Sequence, residues 1–413
     1  MRIRTAGVVT VLALALAAAG CSGGDDPDTT PSAAPAGAGG KLVIWGDDKR
    51  AAALKPFAEK FGAENGVTVE VQAISKDQQT TFVTASQQGS GPDVMVGAHD
   101  WIGNLVQNGA IDPVQLTAEQ QQGLAPNAVK AVTFNGQVYG VPYATENLAL
   151  IRNTKLAPDA PATIEDLVAD AKKAKAAETL CLQVGQNGDA YHAYPLFSSA
   201  GGYLFGTTAT GEYDKNDLGI GKPESIAAFK KIQALGEKGA GALKRSITVE
   251  NSIATFTAGK CAYLVSGPWA ITDVKKAKIA YDISPVPGFA GGKPAQPFLG
   301  VQSFYVAAKG KNKALAQEFV TNYVTTPELA VALYQAEPRP PVLIAAYDQV
   351  KGTDPDLAKF VEAGKNAVPL PAIPEMATVW DPFGKAESAV IAGADPKTAL
   401  TAAAKTISGQ IKP

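Results

Sequence analysis

Histidine and cysteine are scarce in this chain: two of the first and three of the second in 413 residues. Two isolated imidazoles, His99 and His192, are too few for a zinc-type site or a Ser-His-Asp triad, so neither a metal nor a cofactor is called for. The chain also lacks a P-loop, a glycine-rich dinucleotide fingerprint and a nucleophile-elbow pattern, which argues against most catalysis. Charge is modest as well. Charged residues make up 18% of the chain, and 37 basic against 39 acidic side chains leave a formal net charge of −2. Such a balance gives no electrostatic footprint for nucleic acid or another polyanion. No segment after the N-terminal region is apolar and long enough to be a transmembrane helix,.

The first twenty residues have the layout of a secretory signal: Arg2 and Arg4, the apolar run Val8 to Ala19, then small residues,. Ala18-Ala19-Gly20-Cys21 resembles a bacterial lipobox, although leucine is the usual residue where this chain has Ala18. The resemblance implies acylation of Cys21 and anchoring at the outer face of the cell membrane. Residues 21–40, rich in Gly, Ala, Pro, Asp and Thr, cannot bury a core and read as a flexible tether,. With Cys21 removed, Cys181 and Cys261 remain in an exported chain, and a disulfide between them is the economical expectation.

Hydrophobic residues, 46% of the total, supply ample core material, and residues 41–413 exceed what one core usually organises, so two domains are expected. The pattern is an α/β alternation. Lys41 to Trp45 reads as a buried strand, Leu54, Phe57 and Phe61 recur at helical spacing before Gly62 and Gly66 stop the pattern, and Val67, Val69 and Val71 alternate as a second strand,. Val94-Met95-Val96, Leu180 to Val184 and Cys261 to Val265 read as further strands, Ser225 to Leu235 as a helix, Thr163 as the start of another, and Asn135-Gly136 as a turn,. Strands and helices that take turns in this way predict parallel sheets with crossover helices.

Aromatic and carboxylate residues gather where these strands end: Asp48 and Lys49, Asp100 and Trp101, Glu146, then Asp189, Tyr191 and Tyr194, and Trp269. Ligands of open α/β sheets lie outside the carboxyl ends of the strands. Flat rings suit the apolar C–H face of a sugar, and carboxylates suit its hydroxyls. Each residue also has a plainer reading. Trp269 fills a core, Tyr191 and Tyr194 form one packed helix face, Asp100 caps a helix, His99 is a structural hydrogen-bonding residue, and Asp48 and Lys49 are a solvated pair.

Lys41 to Trp45, Gly91-Pro92-Asp93, Ala98-His99-Asp100, Asn135-Gly136, Leu148 to Asn153, Gly201-Gly202-Tyr203, Gly267-Pro268-Trp269, Pro297 to Val301, and Pro374-Glu375-Met376 followed by Trp380 stand in one order. In that order and at nearly that spacing, the chain resembles the maltose-binding family of solute-binding proteins from ABC importers, over almost its whole length after the tether. The resemblance implies a two-lobed, hinged α/β fold of the periplasmic-binding-protein type with discontinuous lobes, residues 41–145 plus 297–345 and residues 146–296 plus 346–413. Sugar would bind in the cleft between them. It also implies polar contacts from Asp48, Lys49, Asp100 and Glu146, and stacking by Tyr191, Trp269 and Trp380. Tyr194 stands where the family has another aromatic and Asp189 where it has a glutamate.

There are departures too: Trp101 replaces a family arginine, Gly97 an aromatic and Asp381 a tyrosine. An indole in place of a guanidinium trades a hydroxyl donor for a stacking surface. The expectation is a monomeric, non-catalytic receptor that closes around a maltodextrin-type α-glucoside and delivers it to the membrane permease of an ABC importer. The alternatives are a glycoside hydrolase working through Glu146 and Asp189 and a polysaccharide adhesin.

Overall fold

The protein is described from a computed structural model, over residues 40–208 and 212–411. The signal-like segment, Cys21 and the tether up to residue 39 lie outside the described residues. Among those described, the strands form two main sheets, and no helix is long and apolar enough to cross a membrane.

The first sheet begins with Lys41–Gly46, which pairs in parallel with Thr68–Ala73 and Val94–Ala98. The helix Asp48–Asn65 makes the crossover. It is capped by Asp47, whose side chain accepts from the Arg50 backbone N–H, and it runs through Gly62 to end at Gly66, a glycine at φ +66°,. Gly62 therefore does not stop the helix. It lets the helix approach the next strand, since a Cβ there would lie 2.7 Å from the Val67 carbonyl oxygen. Asn135 and Gly136, both at positive φ, close the hairpin of Thr133–Phe134 with Gln137–Val138,.

The chain leaves the first sheet at the end of Val141–Glu146 and enters the second at Ala149–Asn153. There the order is Tyr281–Ser284, Ala149–Asn153, Cys261–Ser266, Glu178–Cys181, with the first two junctions antiparallel and the last parallel. Cys181 and Cys261, on neighbouring strands with Cα atoms 5.9 Å apart, are joined by a disulfide. The chain then returns as the long strand Phe298–Ala307, antiparallel to both Val94–Ala98 and Val141–Glu146. Both sheets are thus mixed, not parallel as the alternation predicted. Periodicity reports which face of a strand is buried, whereas the direction of a strand returning from far along the chain is decided by the path it took. The strand expected over Leu180 to Val184 ends at Cys181, because Val184 and Gly185 donate to the Ile247 carbonyl instead of continuing the ladder.

Buried apolar residues separate in the same way. Clusters on the first sheet draw on residues 42–144 and 301–346, and clusters on the second draw on residues 148–298 and 360–407. Residues 40–411 nevertheless belong to one compact unit.

Candidate ligand-binding site

A cavity of about 500 Å³ is lined from both sheets, within the size range of small-molecule sites. The first sheet contributes the end of Val94–Ala98 and the tight turn His99–Trp101 that follows it, together with Glu146 and Gly300. From the second side come Trp269 on the turn Pro268–Ala270, Tyr191 and His192 at the start of the helix Ala190–Ser199, and Trp380 at the start of Trp380–Ile391. Three of the four tryptophans of the chain, all half-buried, therefore meet at one cavity. The fourth, Trp45, is buried and donates its indole N–H to Gln72 Oε1 at 2.7 Å.

Asp100 lines the cavity wall. Burial raises its carboxyl to about 7, and the negative charge of Glu146 adds to the shift,. His99 lies beneath it, 1% exposed, and Nδ1 accepts the backbone N–H of Val301 at 3.0 Å. Burial lowers the imidazole to about 4, so it stays neutral and ties the turn to the long strand.

Glu146 is buried at the junction of the two sheets. Burial alone would raise its carboxyl, but the Arg339 guanidinium outweighs it and holds Glu146 below the usual range. Arg339 Nε donates to Glu146 Oε2 and Nη1 to Glu337 Oε2, and Gln302 Nε2 donates to Glu146 Oε1 at 2.9 Å. The guanidinium also lies over the Trp269 ring, 5.3 Å from its centre,. Arg339 is pinned by its neighbours, since the Pro340 carbonyl accepts from Thr145 N and Val342 N donates to the Tyr143 carbonyl. Tyr191 adds a buried hydroxyl that makes no hydrogen bond among the described residues. Burial, reinforced by Glu146, pushes this phenol well above its ordinary value.

Asp100, Trp101, Glu146, Tyr191, Trp269 and Trp380 are thus brought together, and four expected residues stand elsewhere. Asp48 is the first residue of its helix and accepts from Ser75 Oγ at 2.5 Å, exposed to solvent. Lys49 touches the site indirectly, 3.6 Å from Glu337 Oε1. Asp189 is the N-cap of the helix that carries Tyr191: it accepts from His192 N at 2.9 Å, lies 3.1 Å from His192 Nδ1, and is bonded by Gln183. Burial raises Asp189, but His192 and Gln183 outweigh it and hold the carboxyl low. Tyr194 is in the core, 7% exposed, its ring stacked 3.7 Å from that of Phe298. It stands three residues after Tyr191 on the same helix and does not line the cavity.

Gln79, His192, Glu337, Arg339 and Leu370 also line the cavity and were not foreseen as ligand contacts. Glu337-Pro338-Arg339-Pro340-Pro341 did carry a signal, a pair of opposite charges in a segment whose prolines restrict the backbone,.

The sequence profile of the family described as bacterial extracellular solute-binding protein matches residues 56–360. The chain belongs to that family. It is similar to a galactooligosaccharide-binding protein of Bacillus subtilis (strain 168), 30% identical over 97% of this chain and 95% of that protein. A maltooligosaccharide ABC transporter solute-binding lipoprotein of Streptococcus pneumoniae (strain ATCC BAA-255 / R6) is 30% identical over 98% of this chain and 96% of its own length. A maltodextrin-binding protein of Bacillus subtilis (strain 168) is 29% identical over 89% and 87%.

Proposed function

We propose that this solute-binding protein is the receptor of an ABC sugar importer and that its ligand is a short oligosaccharide of the maltodextrin class. The observation that carries the reading is a single cavity in which Trp101, Tyr191, Trp269 and Trp380 meet Asp100, Glu146 and Arg339. Sugar rings offer apolar faces to the aromatics and hydroxyls to the charged groups. The names of the relatives, which specify maltooligosaccharide, maltodextrin and galactooligosaccharide, support that class. In this reading the two sheets are the bodies of two lobes that close around the ligand. Acylated Cys21 holds the receptor at the membrane, and the closed form docks on the permease.

A glycosidase needs a carboxylic acid that keeps its proton beside the scissile bond. Glu146 and Asp189 are both held low by their partners, and Asp189 is occupied as a helix cap. Neither residue is therefore the protonated acid that hydrolysis through this pair requires,. Calorimetry against maltose, maltotriose, longer maltodextrins, trehalose and galactooligosaccharide tests the reading. Stoichiometric binding of a maltodextrin is expected, without release of reducing ends overnight. Failure to bind any of the panel would overturn it, and hydrolysis would replace it with the enzyme.

A further inference from the structure

Two strands, one from each sheet, reach the cavity in the same way. Val94–Ala98 passes into the turn His99–Trp101, and Cys261–Ser266 passes through Gly267 into the turn Pro268–Ala270. Each turn carries an indole, and each indole lies on a glycine. A Cβ built on Gly97 would stand 2.2 Å from Cζ3 and 2.4 Å from Cε3 of Trp101. One built on Gly267 would stand 2.1 Å from Cζ3 and 2.3 Å from Cη2 of Trp269. Neither glycine is at positive φ, so what the site requires of them is space, not conformational freedom. Ordinary contact begins at 3.4 Å, and a methyl group at either position forces its ring about 1 Å or more off its seat. Both rings line the cavity, so that shift changes the surface offered to a ligand.

We infer that the ligand is gripped between these two glycine-seated indoles, and that Gly97 and Gly267, which need touch no ligand, are positioning residues that set the rings. The inference rests on the oligosaccharide reading and deepens it. A solute held in this way presents a flat apolar face to an indole on either side, as a pyranose does and a compact ion does not. The absence of a side chain at Gly97 and the indole at Trp101 then act as one device. Gly97 clears the place that the Trp101 ring fills, and neither residue makes the platform alone. Rings that come from different sheets also give the ligand a contact that is completed only when both sides meet it.

Titration calorimetry with maltotriose on the full-length protein tests this through Gly97→Ala, Trp101→Ala and the double variant, with the matching set at Gly267 and Trp269. Each single change is expected to lower affinity at least tenfold. The double variants should be no weaker than the tryptophan variants alone, because a seat matters only through its ring. Gly97→Ala should change the near-ultraviolet dichroism of the free protein and leave the far-ultraviolet spectrum intact. It should lose that near-ultraviolet effect in the Trp101→Ala background, where a merely structural glycine would not. Trp101→Phe, which keeps a smaller flat face, should recover part of the affinity. Wild-type affinity in Gly97→Ala, or losses that add in the double variant, overturns the inference while sugar binding by the wild type preserves the receptor reading. A wild type that binds no sugar removes both.

Discussion

Asp100 is a carboxylate whose surroundings favour the acid. It shares the cavity wall with Glu146, and burial with that neighbouring charge brings it to about 7. Unfolded, the same group titrates near its ordinary value of about 4. Between these two values the folded protein holds more protons than the unfolded one, so stability falls as pH rises through this window. The contribution is fully present below the unfolded value and is lost as pH passes about 7. Asp100→Asn removes the titration and keeps the shape. It should therefore be more stable than the wild type near pH 8, by on the order of 2 to 4 kcal/mol, and the gap should close toward pH 4. Denaturant unfolding of the two proteins across that range is the measurement, and a gap independent of pH would show that Asp100 ionises like an exposed carboxylate. Glu146 offers the contrast. It is as deeply buried, yet Arg339 and Gln302 hold it ionised, so it supplies a fixed negative charge.

At the scale of elements, short turns and helix starts carry the site while the strands hold them in place. His99–Trp101 is held by the His99 bond to the long strand, and Tyr191 and His192 are held by the Asp189 cap. The disulfide stiffens the second sheet, since it joins Glu178–Cys181 to Cys261–Ser266, the strand that leads to Trp269. It closes a stretch with a sequence separation of 80 residues, for which the chain-entropy account gives about 4 to 5 kcal/mol as an upper figure. A Cys181→Ala, Cys261→Ala double variant should unfold at clearly lower urea concentration, with loss of stability up to that amount. The wild type unfolded without reductant should show no free thiol from this pair. Equal midpoints would mean that the packing of Ala149, Ile151 and Leu264 around the bridge is sufficient by itself.

For the whole molecule, the consequence of the proposed function is motion. The cavity takes residues from both sheets, and the chain crosses from one core to the other at Glu146, again between Phe298 and Val301, and beyond Ala346. If sugar completes contacts to both sides at once, it shifts the population toward the closed form. Small-angle scattering should then give a smaller radius of gyration with a saturating maltodextrin than without it. Superimposable curves would count against hinge closure and in favour of a rigid binding surface.

Much of this was legible in the sequence, for physical reasons that differ by element. Alternation and helical spacing disclosed the strands Lys41–Gly46 and Thr68–Ala73 and the helix between them, because burial of one face leaves a period in the chain,. Asn135-Gly136 declared its turn, since both residues tolerate the left-handed backbone that the turn needs. Asp100, Trp101, Glu146, Tyr191 and Trp269 were legible as aromatic or acidic residues where strands end, and Trp380 only through the family resemblance. What no local pattern could settle was which of several similar residues faces the cavity. Tyr194 and Tyr191 are alike in type and three residues apart on one helix, and both stack on Phe298, at 3.7 and 6.2 Å; only the tertiary packing buried Tyr194 and left Tyr191 at the wall. Arg339 entered the site because its neighbours Pro340 and Val342 are paired to a strand nearly two hundred residues earlier, a long-range contact that leaves no period behind it. Sheet direction, buried charge partners and the seating of Trp101 on Gly97 share that origin: each depends on where distant segments meet, and only the tertiary structure decides that.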